Sequence, residues 1–243
     1  MKQSAGARFG NGVQLTDSDI KMESGADLEV GKEGGIRYLS CFVGEQAELF
    51  FHEKVLIAAD AYQRSRFWSG EHSRFEIGPE SRFYGRCGMI IVERSALLKI
   101  GKKFSVGDNY RFNADECTEI SIGEDCLFSH NVMIRSNDGH SIFDVVTGKN
   151  MNSSYETARS RKVMVGNHVW IGMNVVILYN ARIEDGSIIG SMSLVKGKIP
   201  NNCIAVGIPA RVSRKNIAWS HKTGAEDIRE CEEKYVRYTE QII

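Results

Sequence analysis

His140 stands in the stretch S-N-D-G-H-S-I-F-D, residues 136–144, with Asp138 shortly before it and Asp144 shortly after. A histidine beside a carboxylate can take a hydroxyl proton near neutral pH, while the carboxylate fixes its tautomer and stabilises the imidazolium. Either aspartate suits that role, and Gly139 lets the chain turn sharply between them. The same residues also spell an Asx-type turn that merely exposes a histidine. The elements on either side must decide.

Those elements follow a period of six. Val165, Ile171, Ile177, Ile183, Ile189 and Val195 succeed one another without a gap, and small or β-branched residues follow the first five of them four positions on. A weaker copy runs through Ile100, Val106 and Phe112, then Ile122, Phe128 and Ile134. A helix has no use for this period, because each repeat would rotate off the preceding face. Short strands joined by tight turns can stack it into a solenoid whose aliphatic ladders bury one another. Between Ile134 and Val165 the rhythm stops, and a segment of about thirty residues must loop out of the wall, which is where function concentrates. That loop, 135–164, opens with His140 directly after a good rung, so its base is rigid.

Three regions result. Residues 1–99 read as an N-terminal segment with irregular β-coils, and residues 100–220 as the repeat. Residues 221–243 read as a C-terminal α-helix, because Ile228, Cys231, Tyr235, Tyr238 and Ile242 fall three and four apart.

Charge and composition narrow the function. In 243 residues, 31 basic side chains balance 31 acidic ones, which argues against a dedicated nucleic-acid binder. No apolar run is long enough to span a bilayer, and the N-terminus lacks a signal peptide's apolar core. Six cysteines without a C-x-x-C pair point to reduced thiols in a cytoplasmic protein rather than to zinc or redox chemistry. Residues 186–225 hold Lys196, Lys198, Arg211, Arg214, Lys215 and Lys222 and no carboxylate, a cationic end that suits a phosphorylated ligand.

The repeat, the loop histidine, N-H-V-W-I-G at 167–172 and the later G-I-P-A-R-V together resemble the hexapeptide-repeat acyltransferases. Within that family, D-G-H-S-I-F-D and K-N-I-A-W look most like capsular polysaccharide O-acetyltransferases acting on sialic-acid polymers. The resemblance implies an all-β, left-handed parallel β-helix of triangular section with an extruded active-site loop; the handedness rests on the resemblance alone. It implies a homotrimer that takes acetyl-CoA as co-substrate, uses no metal, and acetylates a polysaccharide or oligosaccharide hydroxyl. By the same resemblance His140 is the general base, with Asp138 or Asp144 behind it, and Trp170 borders the acceptor. Gly172, Met173, Gly190, Ser191, Lys196, Arg211 and Arg214 line the path of the coenzyme.

Two departures bear on the donor: Met192 replaces a usual glycine, and Ile208 stands where asparagine is common. Three rival readings remain. One is a zinc enzyme like the γ-class carbonic anhydrases, although that family's H-x-x-x-x-H pair is absent. The others are a solenoid without chemistry and an acetyltransferase for a small sugar, amino sugar or antibiotic.

Overall fold

The computed structural model describes residues 6–59, 63–152 and 161–240. Its strands are short and form three sheets of nine, ten and eight strands, here called faces A, B and C. The chain visits A, B and C in turn, so each strand pairs in parallel with the strand one coil earlier and one coil later. The result is a parallel β-solenoid with three walls. Along every strand one side chain points in and the next points out, as alternating burial shows in Met89–Val92 and Glu119–Ile122.

Coil length divides the solenoid in two. After the loop, stacked partners first lie 18 residues apart, Val165 with Ile183, Ile171 with Ile189, Ile177 with Val195, and in the last coil 16 apart, Ile183 with Ile199 and Ile189 with Ala205. Just before the loop they lie 22 apart: Ile100 with Ile122, Val106 with Phe128, Phe112 with Ile134. The added residues fall where face C passes to face A, since Ile100, Val106 and Phe112 keep the six-residue step and Phe112 to Ile122 does not. Longer coils enclose a wider interior, and larger side chains fill it. Phe67, Phe75, Phe83, Phe104, Phe112 and Phe128 are all buried there, with neighbouring ring centroids 5.0–6.3 Å apart. The shorter coils need only valine and isoleucine, as protein interiors are close-packed.

The described coils before residue 100 belong to the same three faces. Gly6–Phe9 already pairs with Asp27–Val30, and Arg74–Ile77 pairs with Leu97–Ile100 across the expected boundary. The loop is slightly shorter than expected, because Met133–Arg135 and Lys162–Val165 are strands. At the far end the last strand, Ala210–Lys215, turns back antiparallel on Cys203–Gly207.

The expected C-terminal α-helix is not formed. Residues 217–240 run as an extended strap with two single 3-10 turns, Ile228–Glu230 and Glu233–Tyr235. The solenoid supplies the hydrogen bonds that a helix would otherwise make for itself. Asn202 Nδ2 donates to the carbonyls of Ile217 and Tyr235, and Asn201 Nδ2 donates to that of Tyr238. Only Tyr235 of the supposed apolar stripe is buried, while Ile228 and Tyr238 are exposed; Ile242 lies outside the described residues.

Candidate active site

The His140 loop leaves the solenoid at the corner between faces C and A, where the upstream coils already carry their extra residues. Its far part folds on itself, with Phe143 bridging Asn150 and Asp144 capping the turn between them. Asp144 Oδ1 accepts from the backbone N–H and the hydroxyl of Thr147, which holds its carboxyl below the ordinary range. Asp144 is therefore a turn residue in this chain.

Asp138 stands closer to the histidine's support. The buried Asn152 donates from Nδ2 to Asp138 Oδ2 (3.1 Å) and to the backbone carbonyl of His140 (2.8 Å), and its Oδ1 accepts from the N–H of Ile142. Arg161, also buried, lies 3.6 Å from Asp138 and hydrogen-bonds Asn137. The backbone around His140 is thus clamped from both ends of the loop. Its imidazole is exposed, and no described residue, Asp138 and Asp144 included, bonds the ring.

Below it opens a cleft of about 370 Å³ bordered by Glu93, Asn113, Asp115, Arg135, Asp138 and His140. Burial, and for Glu93 the neighbouring Asp115, push the carboxyls of Glu93 and Asp115 upward, although Arg135 lies 3.5 Å from Asp115.

The residues assigned to the donor fall on the two edges of face C. Gly172, Met173, Gly190 and Ser191 occupy the corner between faces B and C. A Cβ on Gly172 would meet Ser191 N at 2.6 Å, so close coil stacking itself requires that glycine, while one on Gly190 would meet only the Val206 side chain at 2.6 Å. Met192 has φ +63° and is exposed, which fits a position where glycine is the easier residue.

Lys196 sits on the opposite edge, at the corner of the His140 loop. Its Nζ lies 5.1 Å from the Tyr179 ring, which Arg161 also covers at 4.8 Å. Lys196, Lys198, Arg211 and Lys215 border one cationic cleft of about 540 Å³. Arg214 lies on the terminal hairpin, paired with Ile204.

Trp170 lies away from the His140 corner. It points outward from face B, between Leu127 and Ile188, and its ring is 5.9 Å from that of Trp219 in the strap. Face B is opposite the corner that carries His140, so one chain does not bring the two together.

A second histidine cluster escaped sequence reasoning. His168 is buried, with Nδ1 2.7 Å from Asp125 Oδ2 and Nε2 3.0 Å from the carbonyl of Trp219. Its ring lies between Trp219 and Tyr235, at centroid distances of 3.9 and 4.4 Å. His221 Nε2 reaches the other carboxylate oxygen at 3.2 Å. Burial alone would raise Asp125, but the hydrogen bonds from His168 and His221 outweigh it and leave the carboxyl far below its usual range. The hydrogen bond that His221 donates to Asp125 raises His221 in turn. Donor atoms of Asp125, His168 and His221 lie within 4.8 Å of one another, a spacing that could also admit a cation. The partners of Asp125 lie 43 and 96 positions away in sequence, so no local motif announces the cluster.

Residues 162–197 match the family model for the bacterial transferase hexapeptide (six repeats). Over 156 residues the chain is 28% identical to the polysialic acid O-acetyltransferase of Escherichia coli O1:K1 / APEC, covering 63% of this chain and 48% of that one. Over 107 residues it is 33% identical to the putative lipopolysaccharide biosynthesis O-acetyl transferase WbbJ of Escherichia coli K12, covering 43% and 53%. The chain thus spans about half the length of these curated relatives. Among solved structures, the polySia-specific acetyltransferase NeuO superposes with a TM-score of 0.62 at 22% identity over 95% of both chains. The polysialic acid O-acetyltransferase OatWY gives 0.51 at 21% identity, over 92% of this chain and 94% of that one. The chain carries a hexapeptide repeat at residues 162–197 and is similar in sequence to O-acetyltransferases of surface polysaccharides and in fold to polysialic acid O-acetyltransferases.

Proposed function

We propose that this chain is an O-acetyltransferase that moves an acetyl group from acetyl-CoA to a hydroxyl of a bacterial surface polysaccharide, foremost a sialic-acid-containing polymer. The observation that carries the chemistry is His140, an exposed imidazole on a backbone clamped by Asn152, at the mouth of a polar cleft. Similarity to O-acetyltransferases of polysialic acid and lipopolysaccharide supports the transferred acetyl group and the class of acceptor.

In this reading His140 removes the proton as the acceptor oxygen attacks the thioester carbonyl. The new C–O bond forms, the C–S bond breaks, and the proton passes from the imidazolium to the departing thiolate. Asp138 positions the loop through Asn152 rather than by touching the ring. Lys196 and Arg211 receive the phosphates of the coenzyme at their cationic cleft. Trp170 meets the acceptor only across a boundary between chains, since its face is opposite the His140 corner. That separation supports a homotrimer, in which the loop of one chain faces the wall of the next. The enzyme works in the cytoplasm, where acetyl-CoA is made. No helix of the described residues is long and apolar enough to cross a membrane.

The reading assigns no metal to the reaction. Among the described residues the Asp125, His168 and His221 group alone gathers such ligands, and it fastens the strap on the side away from His140. Incubation with acetyl-CoA and a panel of purified acidic, neutral and monomeric glycans, followed by free thiol, tests the whole reading. Thiol release with polysaccharide that vanishes in His140→Ala is expected. Release only with small sugars or amino sugars would move the acceptor, and equal activity in His140→Ala would remove the base.

A further inference from the structure

One column of outward side chains on face C runs from the His140 cleft toward the N-terminal coils. Cross-strand register stacks Arg135 on Asn113, Asn113 on Ile91, Ile91 on Trp68, Trp68 on Phe42 and Phe42 on Lys21. Arg135 and Asn113 already border the cleft beside His140. Trp68 therefore lies three strand spacings from Arg135, about 14 Å, and Phe42 four, about 19 Å.

At that remote end the wall becomes a groove of about 790 Å³, bordered by Lys21, Phe42, Arg66, Trp68, Met89 and Ile91. The Phe42 and Trp68 rings are nearly parallel, 10° between planes and 6.0 Å between centroids. Trp68 is 40% exposed. Gly70 makes room for it: a Cβ there would meet the indole Cη2 at 2.9 Å.

Charge gives this surface its direction. In the neighbouring column Arg66 stacks on Met89 and Met89 on Arg111. No carboxylate among the described residues pairs with Lys21, Arg66 or Arg111, whereas nearby Arg64 is held by Asp19. The opposite end of the strip, at His140, is rich in carboxylates: Glu93, Asp115, Glu116 and Asp138. A polyanion cannot be gripped by its charges at that end. It can be gripped at Arg66 and Lys21, with sugar faces lying on the aromatic rings.

We infer that face C between Phe42 and Arg135 is a remote subsite for an extended acidic polysaccharide, which binds Trp68 and Arg66 through sugars several units from the one acetylated at His140. The inference rests on the acceptor class proposed above. Such a site binds ground and transition states alike, so it lowers KM for long acceptors and leaves kcat alone. It cannot act on an acceptor too short to reach from His140 to Trp68.

The test compares Trp68→Ala and Arg66→Ala with the unaltered chain on polysialic acid and on its di- and trisaccharide fragments. Binding is measured by calorimetry without donor, and acetylation by thiol release. Trp68→Ala is expected to raise KM for the polymer about tenfold, the worth of one lost ring contact, with kcat and the fragments unaffected. Arg66→Ala should do the same for the acidic polymer and nothing for a neutral one. Equal effects on polymer and fragments, or none, would overturn the subsite. So would a change of oligomeric mass in Trp68→Ala on sedimentation, which would make this face a contact between copies. If no glycan were acetylated at all, the proposed function would fall, while polymer binding lost in Trp68→Ala would still uphold the surface.

Discussion

The molecule contains two histidine–aspartate neighbourhoods, and they are built in opposite ways. At Asp125, His168 and His221 the carboxylate meets imidazole nitrogen at 2.7 and 3.2 Å, the pairing expected of a proton-transfer site. Yet His168 is buried between two aromatic rings, and both its nitrogens are occupied. Around His140 the aspartates face elsewhere, and only the histidine's backbone is held. A tightly satisfied histidine fastens chain to chain. An unsatisfied one on a fixed backbone is available to a substrate. Close carboxylate contact alone would therefore point to His168 rather than to the proposed base, His140.

Replacing each histidine should separate the two roles. His140→Ala should lower kcat by about 10²–10⁴ while the melting temperature stays unchanged, because it makes no core cavity. Retained kcat with a glycan acceptor would collapse the contrast. Asp125→Asn should do the reverse, costing about 3–5 kcal/mol at the strap because it breaks a buried pair. Proteolysis within residues 217–240 and a denaturation curve would read that loss, and an undisturbed strap would show that Asp125 is dispensable.

Smaller effects sharpen the contrast within the loop. Asp138→Asn should reduce kcat about tenfold to hundredfold through a displaced His140, while Asp144→Asn should stay near the unaltered rate. The reverse order would place the support of His140 in the outer turn.

The mildest effect is one of pH. The folded value of Asp125 is lowered, so its contribution is present above its ordinary 3.8 and is lost as acid carries the pH through the depressed value. The folded value of His221 is raised, so its contribution is full below its ordinary 6.5 and fades as pH rises through the elevated value. Protection of the strap's amides, taken relative to their intrinsic exchange rates, should therefore be greatest between those limits and fall on the alkaline side. A flat profile across neutrality would detach His221 from the grip.

The sequence showed most where coil length is a multiple of its own repeat. From Val165 to Val195 stacked partners lie 18 residues apart, three sixes, and the aliphatic ladder is unbroken. Upstream, added residues break the count in every coil, and stacked partners there lie 21 to 26 residues apart, as Gly6 with Asp27 and Glu48 with Arg74 show. Phenylalanine replaces valine there, so residues 1–99 read as irregular although they pair as regularly as the rest. The C-terminal segment misled for another reason: its three-and-four spacing is helical, but Tyr235 is spent stacking on His168. The loop and His140 were visible as an interruption. Asn152 and Arg161, which hold the loop, were not, since their partners lie 14 and 23 positions away and no spacing rule links them.

The antiparallel strand Ala210–Lys215 has a consequence for the molecule's life in a crowded cell. A parallel stack offers its last strand as a template, and another chain could add to it without end, as in fibril growth. Here the chain reverses and covers its own final parallel edge on face B. It leaves outermost a strand bearing Arg211, Arg214 and Lys215, whose like charges repel any further copy. The hairpin ends propagation at that wall, so the chain gains a repeating architecture without its tendency to polymerise there.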